Sequence, residues 1–147
     1  MSMRIGFGYD IHRTMPGKKL RLGGVSFPKA GFQLDGHSDA DVIIHAACDA
    51  LLGAAGLRDI GTLFPNTSLK NKQRNSLEFL TEVGKALTAH RWKVGNVDCT
   101  LLAERPKIAA SVPLMCRRMA RALGVLPDRV SVKATTNESL GAIGRGE

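Results

Sequence analysis

Asp10-Ile11-His12 lies near the start of the chain, and His45 lies on the segment with the clearest helical signal. Asp10 and His12 are two positions apart, so on an extended segment they point to the same side. A nitrogen from His45 would complete an O/N/N donor set, and any fold that does so must bring the N-terminal segment against that helix. Three protein ligands with one position left open is the pattern of a catalytic zinc site rather than a closed structural one. The constellation therefore points to chemistry on an oxygen-rich substrate. A two-histidine, one-carboxylate iron(II) site reads the same way from sequence.

The rest of the pattern predicts a single α+β domain over 1–147, a β-sheet with helices packed on one face. Arg4 to Tyr9 reads as a first strand, with Gly6 and Gly8 allowing close backbone approach. Leu20 to Val25 reads as a short strand bent at Gly23-Gly24. Ser38 can cap the first helix, with Asp41 at its third position, and the apolar run from Val42 fades at Gly53 or Gly56. Arg58 to Arg74 reads as a long polar loop, of the kind that is usually functional or mobile. Ser76 can cap a second helix on which Leu80, Val83 and Leu87 recur at helical spacing. Val97 to Leu102 is strand-like. Pro113 suits the first turn of a third helix that stops at Gly124, and Val130, Val132 and Ala134 alternate as a strand.

His37, Asp41, His45 and Asp49 fall at successive steps of four along the first helix and the residues just before it. Asp41 or Asp49 is thus a candidate to hold the second ring nitrogen of His45 and fix its tautomer. The same stripe also reads as the solvated face of a capped amphipathic helix. His90, at a helix end, reads as a favourable cation near the helix dipole.

Composition narrows the function classes. The net charge of +8, from 21 Lys and Arg against 13 Asp and Glu, allows nucleic acid, an anionic surface or a phosphorylated substrate as partner. Aromatic residues make up 5% of the chain, too few for a base-stacking platform. Cys48, Cys99 and Cys116 are odd in number and scattered, which reads as free thiols in a reducing compartment. No apolar run is long enough to span a bilayer, and the N-terminus has no signal character, so a cytoplasmic protein is expected.

A second group follows the last strand. Lys133-Ala134-Thr135-Thr136-Asn137-Glu138 offers hydroxyls, amides and a carboxylate suited to a diphosphate and a hard cation. Gly141, Gly144 and Gly146 then surround Arg145, whose guanidinium pairs with phosphate or carboxylate.

The segments from Arg4 to His12, Gly36 to Val42, His45 to Gly53, Asp59 to Gly61, Lys133 to Glu138 and Gly144 to Glu147, taken together and in order, resemble the 2-C-methyl-D-erythritol 2,4-cyclodiphosphate synthases. The resemblance implies a bacterial cytoplasmic enzyme of the non-mevalonate route to isoprenoids. It would convert 4-diphosphocytidyl-2-C-methyl-D-erythritol 2-phosphate into the cyclic diphosphate with release of CMP. It also implies a homotrimer with an active site at each subunit interface, and no nucleic-acid or membrane partner. Asp10, His12 and His45 would hold Zn²⁺, and Glu138 a second divalent cation, Mg²⁺ or Mn²⁺. His37 and Thr136 would be catalytic, with His37 and Ser38 on the phosphates and Thr135 and Thr136 at the diphosphate. Asp59 and Gly61 would meet the sugar or erythritol part, and Ile60, Phe64 and Arg145 would also bind substrate. Ala103, Pro106 and Lys107 would come from the neighbouring subunit to frame the cytosine.

Three features depart from the family pattern. Asn66 and Ser68 stand where relatives usually carry acidic residues. Ala142 stands where an aromatic is common, beside Arg145, at a trimer-centre cavity proposed in the family to accept an isoprenoid diphosphate. The chain stops at Glu147, where relatives continue into a final apolar strand. The alternative reading from another class is a basic phosphate- or nucleic-acid-binding domain with a non-catalytic metal; an iron(II) oxygenase is a third.

Overall fold

The computed structural model describes residues 3–65 and 67–147. The chain forms β1 (Thr14–Pro16), β2 (Arg21–Leu22), β3 (Val25–Ser26), β4 (Phe32–Leu34), α1 (Val42–Ala55), α2 (Ile60–Leu63), α3 (Ser76–Ala89), β5 (Val97–Leu102), α4 (Val112–Leu123), β6 (Val130–Thr135) and α5 (Gly141–Arg145). Single 3₁₀ turns fall at Leu69–Asn71, Ala109–Ser111 and Pro127–Arg129. The mixed helix-and-strand class is the expected one, but its strands form three separate pairs. β1 runs antiparallel to β4 and β2 to β3, while β5 and β6 are parallel, with Val97 opposite Val130.

The β5–β6 pair explains the helices' placement. Val97, Leu101, Val130 and Val132 point to one side and are buried, while Asp98, Thr100, Leu102, Ser131 and Lys133 on the other side are exposed. This period-2 alternation buries one sheet face only. The covered face joins a core containing Ile44, Ala47, Cys48 and Leu52 of α1, Leu80 and Val83 of α3, and Met115 and Met119 of α4. Helices packed on one face were expected; Ala134, expected to continue the alternation, is exposed.

The helix ends differ from the sequence reading in an informative way. Asp41, not Ser38, caps α1, accepting from the Ile44 amide, and Asn75, not Ser76, caps α3, accepting from Leu77 N–H. Asp41 is buried, and its carboxylate also accepts the Gly23 and Gly24 amides at 2.9 and 2.6 Å. One side chain thus closes the helix start and ties down the β2–β3 hairpin, whose tip is the bend expected at Gly23-Gly24. Burial pushes the Asp41 carboxyl above its ordinary range, against the opposing pull of these amide bonds. α1 ends at Gly56 and α4 at Gly124, both in the left-handed conformation that favours glycine.

The expected strand Arg4–Tyr9 has no ladder partner among the described residues. The segment runs against α1 instead. A Cβ at Gly6 would lie 1.8 Å from the Ala50 carbonyl oxygen, and one at Gly8 would lie 2.0 Å from that of Ala46. Only glycine permits this approach of backbone to helix. Ile5 and Phe7 remain 90% and 85% exposed. Between this segment and β5 lies a cleft of about 1120 Å³, whose lining includes Ala46 and Ala50 of α1 and residues 142–147.

The polar stretch from Arg58 to Arg74 is partly ordered by capping. Asp59 accepts the Thr62 amide and hydroxyl at 2.7 and 2.9 Å and starts α2. Arg74 donates to Glu78 and Glu82 and lies over the rings of Phe64 and Phe79. Asn66 lies outside the described residues, so the departure noted there has no structural description; Ser68 accepts through its backbone from Asn71 and lies against His37.

Candidate metal centre and active site

The glycine-mediated contact of the N-terminal segment with α1 delivers Asp10 and His12 to His45. Asp10 Oδ2 lies 3.2 Å from His12 Nε2 and 3.1 Å from His45 Nδ1. One donor atom from each residue falls within 4.8 Å of the others. The side chains are 24%, 21% and 13% exposed, respectively, so the cluster is walled by protein on one side and reaches solvent on the other.

The unused nitrogens of both rings are engaged. His12 Nδ1–H donates to the Asp35 carbonyl, which can only accept, so Nε2 is the nitrogen turned to Asp10. His45 Nε2 lies 2.9 Å from Ser76 Oγ and 3.2 Å from Ser38 Oγ. Partners on the far nitrogen are the usual support of a metal-binding imidazole. A nitrogen from each ring and a carboxylate oxygen converging on one point suit a divalent ion.

The charge state agrees. Burial opposes ionisation of Asp10, but the bonds to His12 and His45 outweigh it and hold its carboxyl well below the usual carboxylate range. The Asp10 bond, against partial burial, raises the His12 imidazole above its ordinary value.

The expected support for His45 from Asp41 or Asp49 is not what the structure shows. Asp41 is turned back onto the amides of Gly23, Gly24 and Ile44, and Asp49 accepts the Ile60 amide at 2.8 Å. A spacing of four places residues along one side of a helix, but an aspartate there is short enough to bond nearby amides instead. Ser76, from α3, lies at that nitrogen instead, and itself donates to Asp39. From sequence, Ser76 reads only as a helix cap and Asp39 has no role, because no local spacing links either to His45.

The remaining residues are placed as follows. His37 lies just before α1, its Nε2 3.4 Å from the Ser68 carbonyl oxygen. Asp59 is exposed, with its carboxyl lowered chiefly by the Thr62 amide; Gly61 is also exposed and Ile60 half-buried. Phe64 is buried and stacked on Phe79, ring centres 4.7 Å apart. Ala103 and Pro106 are half-buried and Lys107 exposed, in the segment after β5. Glu104, which the sequence reading passed over, accepts the amides of Asn137 and Ser139. It thereby holds the turn after β6, where Glu138 and Ser139 have φ of 51° and 60°. Thr135, Thr136 and Glu138 are exposed, Thr136 Oγ1 donates to Glu138 at 2.9 Å, and Arg145 pairs with Glu147 at 2.6 Å. No contact joins Thr136 or Glu138 to the Asp10–His12–His45 cluster among the described residues. His90 places its ring on the Ala86 carbonyl at the end of α3.

The three cysteines are unpaired, and burial pushes the Cys99 thiol up to about 12 and that of Cys48 higher still. Neither is therefore a thiolate poised for nucleophilic attack.

Fold and site together define a small mixed α and β domain carrying an open three-donor metal centre. The sequence pattern of the YgbB family matches residues 3–147. The 2-C-methyl-D-erythritol 2,4-cyclodiphosphate synthase of Desulfosudis oleivorans is 55% identical over 146 residues, covering 99% of this chain and 86% of that protein. The synthase of Symbiobacterium thermophilum is 56% identical over 146 residues, covering 99% and 92%. Among solved structures, the Plasmodium falciparum IspF CDP complex superposes with a TM-score of 0.84 at 37% identity, covering 97% of this chain and 87% of that one. The bifunctional IspDF from Campylobacter jejuni gives a TM-score of 0.87 at 39% identity; the match takes in 98% of this chain but only 39% of that longer one. The chain belongs to the 2-C-methyl-D-erythritol 2,4-cyclodiphosphate synthase family.

Proposed function

We propose that this chain converts 4-diphosphocytidyl-2-C-methyl-D-erythritol 2-phosphate into 2-C-methyl-D-erythritol 2,4-cyclodiphosphate and CMP, a phosphorus–oxygen lyase reaction of isoprenoid precursor synthesis. The observation that carries the reading is the open Asp10, His12 and His45 cluster in a chain of this family. The substrate's own 2-phosphate is the nucleophile, so the protein needs none, which accords with two buried, high-pKa thiols. Catalysis then rests on positioning and charge neutralisation.

Asp10, His12 and His45 would hold zinc, which when bound supplies Lewis-acid charge to a phosphoryl oxygen. His37 and Ser38, beside the cluster, would orient the phosphates; Asp59, Ile60, Gly61 and Phe64 would bound the erythritol part. Thr135 and Thr136 would bind the diphosphate, and Glu138 a second cation, Mg²⁺ or Mn²⁺. Ala103, Pro106 and Lys107 would frame the cytosine of a neighbouring subunit's substrate, and the CDP bound in the Plasmodium falciparum structure supports a cytidine ligand. A homotrimer follows from this division, and the bare face of β5 and β6 offers a surface for it. The enzyme would work in the cytoplasm; no helix among the described residues is long and apolar enough to cross a membrane.

The test is incubation of the purified protein with the substrate and Mg²⁺ or Mn²⁺, followed by ³¹P NMR, with and without a zinc chelator. Cyclic diphosphate that disappears on chelation is the expected result. No product from folded, zinc-loaded protein would refute the activity. Sedimentation analysis tests the trimer separately.

A further inference from the structure

The two segments assigned to the nucleotide end of the site lie side by side. β5 and β6 are parallel, so the residues after Leu102 and after Thr135 leave the same end of the pair. The Ala103 amide extends the ladder to the Thr135 carbonyl at 3.1 Å, and no further backbone bond joins the two segments among the described residues. The next link is a side chain. One oxygen of Glu104 accepts the Asn137 amide at 2.9 Å and the Ser139 amide at 3.2 Å. Turn amides that converge on one point form a concavity suited to an anion, and here the chain's own carboxylate fills it. The turn needs such support. Glu138 and Ser139 are consecutive non-glycine residues with φ of 51° and 60°, a conformation that persists only where the surroundings impose it. Gly144 closes the other side, where a Cβ would lie 2.1 Å from the Ser139 carbonyl carbon. Within the turn, Thr136 Oγ1 accepts the Glu138 amide at 3.3 Å and donates to the Glu138 carboxylate at 2.9 Å, so the two side chains form one block.

We propose that Glu104 is a positioning residue that sets this left-handed turn and so holds Thr136 and Glu138 at a fixed place relative to Ala103, Pro106 and Lys107. A base and its diphosphate are then met by two groups whose spacing one carboxylate fixes. The inference rests on the proposed cytidine diphosphate substrate. The role requires an acceptor of the right reach rather than a charge. Glutamine keeps an oxygen that can accept both amides, whereas alanine leaves them to water. Because Glu104 acts on spacing, a ligand that reaches only the Ala103–Lys107 segment should be indifferent to it.

The test compares zinc-loaded wild-type protein with Glu104 variants, using CDP and cytidine as probes in the presence of Mg²⁺. Calorimetry reads CDP, and an NMR shift titration reads the weaker cytidine. Glu104→Ala is expected to weaken CDP by about 10-fold or more, as when a hydrogen bond to a charged group is lost. Its affinity for cytidine should stay within about threefold of wild type. Glu104→Gln is expected to keep CDP affinity within about threefold of wild type. Glu104→Asp retains the charge but is one methylene shorter, and is expected to follow alanine. Zinc content should be unchanged throughout. Native-state hydrogen exchange at the Asn137 and Ser139 amides gives a readout without ligand: faster in Glu104→Ala and Glu104→Asp, as in wild type in Glu104→Gln. Unchanged exchange in the first two overturns the proposal, as does CDP affinity of Glu104→Ala within about twofold of wild type. Equal losses for CDP and cytidine overturn it too, since they mark general damage, and so does a glutamine variant as weak as alanine. If Glu104→Ala fails to fold, the contrast between Glu104→Asp and Glu104→Gln decides. Wild-type protein that binds no CDP refutes the substrate reading and this coupling with it, whereas wild-type binding matched by Glu104→Ala refutes the coupling alone.

Discussion

The Asp10–His12–His45 cluster and the Thr136–Glu138 turn both belong to the expected active site, yet one chain completes only the first. The cluster's donors converge, each ring has a partner on its far nitrogen, and α1 beneath it is anchored by the buried Asp41. The turn after β6 is shaped by Glu104, but Thr136, Glu138 and Lys107 stand exposed. The difference separates two tasks. Gathering donors around a cation requires close packing within one chain, whereas enclosing a nucleotide can be left to a surface that meets another subunit.

His45→Ala should have the largest effect, because it removes one of three donors in the completed half. Bound zinc, measured by elemental analysis, should largely disappear, and turnover should fall by more than the roughly 100-fold expected for loss of a mere supporting residue. Normal zinc content in this variant would break the contrast at its root. Glu138→Gln should behave oppositely in one respect. Turnover should fall by about 100-fold, as when a few kcal/mol of charge stabilisation are lost, while zinc content stays at the wild-type level. Loss of zinc from Glu138→Gln would show that the two halves are one site within the chain.

The two halves were also unequally legible in the sequence. Asp10-x-His12 and His45 could be read because period-2 and helical geometry turn spacing into direction. The strand β5, the alternation at Val130 and Val132, and the stop of α4 at Gly124 were legible for the same local reasons. Asp39, Ser76 and Glu104 were not, because each acts across a tertiary contact that no spacing encodes: Asp39 and Ser76 join the approach to α1 with the start of α3, and Glu104 bonds a turn more than thirty residues away. Arg4–Tyr9 was read as a strand from composition, but its glycines serve contact with α1 rather than a ladder, and composition does not distinguish these uses. Asp41 was placed on the right helix and given the wrong task, since an aspartate near a helix start serves equally as a cap, a tether or a histidine partner until the neighbouring hairpin is known.

The anchoring of the cluster half gives the next prediction. Asp41→Ala removes a helix cap and leaves the buried amides of Gly23 and Gly24 without a partner. The combined cost should be about 2–4 kcal/mol, from roughly 1 for the cap and the rest for unpaired buried donors. Urea denaturation of the metal-free protein measures it. A cost below about 0.5 kcal/mol, the range of ordinary surface substitutions, would mean that the hairpin and α1 hold the cluster without this carboxylate.

The smallest effect concerns pH and tests whether the cluster is strained without its cation. Asp10 has its carboxyl lowered in the folded protein, so its contribution to stability is present above the unfolded value of 3.8 and is lost as pH falls through the lower folded value. His12 is raised, so its contribution is present below 6.5 and is lost as pH rises through the higher folded value. Between those limits, protonated His12 faces ionised Asp10. At higher pH the Asp35 carbonyl keeps the remaining proton of His12 on Nδ1, and the bare Nε2 lone pair is left 3.2 Å from a carboxylate oxygen. Metal-free wild-type protein should therefore exceed Asp10→Asn in stability by about 1 kcal/mol near pH 5, with the gap shrinking or reversing near pH 9. Denaturant titrations of both proteins at the two pH values, in the presence of a chelator, measure the gap. A gap that widened at the higher pH would mean that the carboxylate stabilises this cluster without either a proton or a cation between the donors.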